Sequence, residues 1–142
     1  MIKNNTVFIF VFMTKSEHIK YWTTSSAQSW QASQHLFEKG DFVECLFFAH
    51  LCLEKILKAH WVNSNQSDIP PRIHNLRVLA QQTNLQLDAA QIIFLEQMNT
   101  FQMEGRYPDY NFKIYQAFKQ PQTALILKQV ENIYQWLLNS LP

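Results

Sequence analysis

Only two glycines, Gly40 and Gly105, occur in the 142 residues, where average usage of about 7% would supply about ten. Gly-rich phosphate loops, serial tight hairpins and dinucleotide-binding turns all need glycine where the backbone takes positive φ or approaches closely. Two isolated glycines cannot build them, so those classes are excluded. The length suits one domain with a single full core. Twelve Lys+Arg against eleven Asp+Glu leave a formal charge of +1, which excludes a strongly basic nucleic-acid scaffold and an acidic tail protein. Amides supply much of the polar surface instead, with 15 Gln and 10 Asn. Cys45 and Cys52 are too few for a disulfide framework. The balance points to a cytoplasmic all-α domain.

The helical pattern begins after residue 17. Trp22, Ser26, Ala27, Trp30, Ser33 and Phe37 recur at three- and four-residue steps, predicting a helix over 17–39 that ends at Gly40. Asp41, with Glu44 three residues on, resembles a capping box opening a second helix to about residue 62. Phe42, Leu46, Ala49, Leu53, Ile56 and His60 share one stripe of it, and Phe47, Phe48, Leu51 and Leu57 fill other faces. A helix apolar all round belongs in the middle of a bundle or at a subunit interface. A polar break, residues 63–71, ends in two prolines. A short helix is predicted over 74–82, and Asp88 with Gln91 forms a second capping-box pattern for a helix over 88–103. Ile92, Leu95 and Asn99 make one stripe there. Residues 106–121 are aromatic-rich without a clean period, and the last helix is expected over 122–141. The fold expected is an up-and-down bundle of four long helices plus one short helix, over residues 17–142.

Residues 1–16 stand apart. Thr6 to Met13 reads TVFIFVFM, far short of the roughly 20 apolar residues that span a bilayer, and no small-x-small cleavage site follows closely. An edge strand or arm packed on a partner, a weak export signal, and an extension ahead of initiation at Met13 all fit the run.

Three groups of residues could carry chemistry. Cys45, His50, Cys52 and His60 lie on one helix, but single-helix zinc sites want ligands at i and i+4 or close Cys pairs. These cysteines are seven apart with His50 rotated off their face, so no metal is expected. Glu54 precedes Lys58 by four residues, the favoured order on a helix. On so apolar a helix the pair is expected to be partly buried, with His50 or His74 as a further partner. Finally, EGRYPDY (Glu104 to Tyr110) puts Arg106 beside Tyr107, Asp109 and Tyr110. Arginine offers a planar fork for phosphate and the tyrosines offer stacking faces, or Asp109 pairs with Arg106 and the tyrosines pad the bundle end.

Taken together, AHLCLEKILKAHW (Ala49 to Trp61), IPPRIHNLRVL (Ile69 to Leu79) and EGRYPDY resemble the HEPN domain family in order and spacing, over roughly residues 20 to 141. The resemblance implies a helical bundle that commonly dimerises, binds nucleotides, and is often encoded beside a small nucleotidyltransferase in toxin–antitoxin-like pairs. Many members are metal-independent ribonucleases that carry an arginine followed, after four to six residues, by a histidine. Arg106 matches the arginine, but the allowed spacings land on Asn111, Phe112 and Lys113. Without an imidazole there, no group titrating near neutrality stands ready to take the ribose 2′-hydroxyl proton.

The reading that follows is a nucleotide- or RNA-binding module whose cleft is lined by Lys55, Lys58, His74, Arg106, Tyr107 and Tyr110. It has no cofactor and no membrane contact, and a homodimer and a small nucleotidyltransferase are its expected partners. The alternatives are a ribonuclease toxin using Arg106 and a displaced base at His74, and a non-catalytic interaction protein.

Overall fold

The computed structural model describes residues 12–102 and 113–142. Its elements are α1 (Lys15–Glu38), α2 (Phe42–Ser64), α3 (Leu76–Gln81), α4 (Ala89–Met98) continuing into a 3₁₀ turn (Asn99–Phe101), α5 (Lys113–Ala117) and α6 (Gln120–Asn139). No strand occurs among these residues, and no helix is long and apolar enough to cross a membrane. The all-α bundle is as expected, with one more short helix, α5, inside the aromatic-rich stretch.

The helix ends show which local signals act. Thr14 caps α1 by accepting from the Glu17 backbone N–H at 3.1 Å, so the helix starts ahead of its apolar pattern. At its other end Gly40 takes φ +82°. Gly40 N donates to Phe37 and Asp41 N to Leu36, the 5→2 and 6→1 bonds of a Schellman turn. The expected box at Asp41 does not form: the Asp41 side chain makes no capping bond, and the Glu44 carboxylate accepts from Tyr115 Oη at 2.7 Å. The box at Asp88 is complete, with Asp88 accepting from Gln91 N at 2.7 Å and Gln91 accepting from Asp88 N at 2.9 Å. The short helix begins at Leu76, two residues later than expected, because Asn75 serves as its cap by accepting from Val78 N. Pro121 sits in the first turn of α6, where a missing N–H costs nothing.

α2 is the central helix, with fourteen of its 23 residues buried. Leu46, Leu53, Ile56 and Leu57 are fully enclosed, and Leu76, Leu79, Leu95, Met98, Val130 and Leu137 close over them from the other helices. α1 lies against α2 through Ser26, Ser29 and Ser33, whose small side chains allow close approach. Each hydroxyl has a partner: Ser33 donates to the Cys45 carbonyl at 2.8 Å, Lys55 Nζ donates to Ser29 at 2.8 Å, and Ser26 shares a hydrogen bond with Tyr134 Oη at 2.8 Å. The open end of this pair is tied by Lys15. Its Nζ donates to the carbonyls of Val62 and Asn65 at 2.9 and 2.8 Å and pairs with Asp68 at 2.7 Å. That clasp fixes the start of the 65–75 loop, which delivers His74 to the site.

Candidate functional site

The fourth and eighth positions after His50 on α2 are Glu54 and Lys58, so all three side chains rise from one face. All three are buried, with Glu54 only 4% and Lys58 only 7% exposed. Lys58 Nζ meets Glu54 Oε2 at 3.1 Å. The other carboxylate oxygen, Oε1, meets His74 Nδ1 at 2.9 Å. A carboxylate accepts, so Nδ1 carries the hydrogen, and the neutral ring then has its basic atom at Nε2. The His74 side chain is 40% exposed, so the cluster runs from a buried ion pair to a partly solvated imidazole. Lys58 also sits 5.4 Å from the centroid of the Trp22 ring, within cation–π range.

The backbone that carries His74 is pinned from behind. Asn99, in the 3₁₀ turn after α4, accepts from Leu76 N at 2.9 Å through Oδ1 and donates to Asn75 Oδ1 at 3.2 Å through Nδ2. The capping side chain and the first helical N–H after His74 are thus both held by one residue from another element. His50 closes the buried end. It is 1% exposed, and its Nε2 has no hydrogen-bond partner. Burial lowers its pKa, against the opposing pull of the Glu54 charge.

His60 is likewise shifted down by burial, with its Nε2 donating to the Leu137 carbonyl at 2.7 Å. Both imidazoles are therefore held towards the neutral form in the fold and regain an ordinary pKa near 6.5 on unfolding. The unfolded chain binds more protons below that value, so this stability is present above about pH 6.5 and is lost as pH falls through and below it. The unfolding midpoint is expected to drop between pH 6.5 and 5, and His50→Leu is expected to flatten that drop. A pH-independent midpoint over this window would contradict it.

The expected partner of the Glu54–Lys58 pair is therefore present, and the pair is more deeply buried than an exposed helix pair. Of the six binding residues expected from sequence, the structure brings Lys58 and His74 together. Lys55 turns to α1, where its Nζ donates to Ser29 and burial lowers its pKa; it does not join His74. Arg106, Tyr107 and Tyr110 lie outside the described residues, as does Gly105. Cys45, Cys52, His50 and His60 take separate surroundings: Cys45 lies by Ser33, Cys52 near Tyr134, His50 by Glu54 and His60 by Leu137. Burial raises the pKa of both thiols. Among the described residues no group of His, Cys, Asp or Glu is arranged to hold a metal.

Trp22 and Asn99 fall on the helical stripes of their segments, yet both bear on the cluster. A polar residue closing the Ile92–Leu95 stripe was the one sign of Asn99's role. Nothing in the sequence marks Trp22 as the ring beneath Lys58.

The comparisons with curated proteins and with solved structures gave no match. The family model for the HEPN domain matches residues 19–141. That span takes in α1 from its second turn, the whole Glu54–Lys58–His74 cluster and α6 to its end, and the chain belongs to the HEPN domain family.

Proposed function

We propose that the chain is a HEPN-type module that binds a nucleotide or single-stranded RNA at the surface where His74 emerges. The observation that carries this is the Glu54 carboxylate shared between Lys58 at 3.1 Å and His74 at 2.9 Å. A buried ion pair is costly to assemble, and here it orients an imidazole that reaches solvent. His74 and Arg106 would contact phosphate, Arg106 through its bidentate fork, while Tyr107 or Tyr110 stacks on the base. Lys58 is neutralised by Glu54 and supports rather than binds. A homodimer, and a small nucleotidyltransferase as partner in a toxin–antitoxin-type pair, follow from the family resemblance. Light scattering and co-purification with the neighbouring gene product test them. For the site itself, titration with AMP and short RNA is expected to show binding that Arg106→Ala weakens about tenfold or more. Unchanged affinity would remove Arg106 from the site.

One observation favours a second reading, a metal-independent ribonuclease. A carboxylate on Nδ1 is the arrangement that fixes a general base. In that case His74 Nε2 takes the 2′-hydroxyl proton as the oxygen attacks the adjacent phosphate, and the 5′-oxygen leaves. RNA cleavage in EDTA that His74→Ala abolishes is the expected result. Intact RNA under those conditions eliminates it.

A further inference from the structure

Lys58 also lines a groove of about 370 Å³ between the first turns of α1 and the loop after α2, within the size range of small-molecule sites. Its apolar lining includes Tyr21 and Trp22, packed edge to face with ring centroids 5.2 Å apart, together with Pro70 and Pro71. Tyr21 is 56% exposed, so it is open to solvent. The two prolines fix their own φ and contribute no N–H, which makes that side of the groove stiff and apolar. The Lys15 clasp on Asp68 and on the Val62 and Asn65 carbonyls holds the loop at its base.

The charges of the groove do not balance. Asp68 is neutralised by Lys15, and Lys58 by Glu54. Arg72 is exposed and makes no ion pair with any described residue, and His18 lies one turn before Tyr21 and Trp22 on the same helix face. What remains is positive, and the occupant it fits is flat, aromatic and anionic. Arg72 and His74 are two residues apart on one loop, and Trp22, Lys58, Glu54 and His74 form an unbroken chain of contacts.

We infer that this groove is a second nucleotide subsite, which takes the base and phosphate next to the nucleotide held at His74. The base would stack against Tyr21 and the phosphate would lie at Arg72, so the ligand class is a single-stranded RNA of at least two nucleotides. The inference rests on the nucleotide-binding reading above and extends it.

Calorimetric titration with AMP and with the 5′-phosphorylated dinucleotide pApA separates the two. The dinucleotide is expected to bind roughly tenfold tighter than AMP, in line with base stacking on an aromatic side chain. Tyr21→Ala and Arg72→Ala, both at exposed positions, are each expected to remove most of that gain and to leave AMP affinity unchanged. Equal affinities for AMP and pApA, or a dinucleotide affinity unmoved by both substitutions, would overturn the subsite while leaving the His74 site standing. Binding that survives Arg106→Ala and His74→Ala but falls with Tyr21→Ala and Arg72→Ala would do the reverse: the groove would stand and the proposed primary site would be wrong. A chain that binds neither ligand overturns both. If phosphotyrosine competes with pApA as well as AMP does, the groove accepts any aryl phosphate and the RNA assignment fails.

Discussion

Glu54→Ala is expected to destabilise the protein by about 3–5 kcal/mol, the range for removing one partner of a buried ion pair. The reason lies less in the lost attraction than in what stays behind. Lys58 remains 7% exposed with no counter-charge, and the His74 Nδ1–H loses its acceptor. Denaturant unfolding would show this as a lower midpoint at unchanged slope. The double variant Glu54→Met with Lys58→Met is expected to recover most of the loss, because no charge then needs solvating. A Glu54→Ala effect below about 1 kcal/mol would mean that Lys58 swings out to solvent and that the pair is not structural.

The second large effect belongs to the core of α2. Leu53 is fully buried in the cluster that joins α2 to α3, α4 and α6. Leu53→Ala is expected to cost about 2–5 kcal/mol, the transfer term plus the cavity left behind. Leu53→Met, which nearly conserves volume, is expected to cost under about 1.5 kcal/mol. Leu125 on α6 is 71% exposed, and its truncation is expected to stay within about 0.5 kcal/mol. Midpoints that fail to separate Leu53→Ala from Leu125→Ala would show that α2 is not the centre of the fold.

What the chain reveals before folding depends on how far apart the interacting residues are. The Asp88–Gln91 box was legible because its two bonds close within three residues. The same pattern at Asp41 misled because Tyr115, 71 residues after Glu44, claims the glutamate. The ion pair of Glu54 and Lys58 is set by helical spacing, and His74 was among the few side chains able to complete it. Which lysine joined it was a matter of helical phase. Lys55 is turned about 100° from Glu54 and meets Ser29, a contact that no local pattern announces. Trp22 and Asn99 reach the cluster only through the packing of α1 and of the turn after α4.

The three serines of α1 have a consequence for how that helix can move. Their partners are a carbonyl on α2, an ammonium on α2 and a phenol on α6, spread along the helix like unequally cut teeth on a key. A smooth apolar seam would tolerate a slide by one turn, since one leucine replaces another at little loss. Here a one-turn slip strands three hydroxyls at once and pulls Lys15 from its clasp. Sequence changes that convert these serines to alanine should therefore leave the protein folded but loosen its indexing, so that α1 samples shifted registers against a stationary α2.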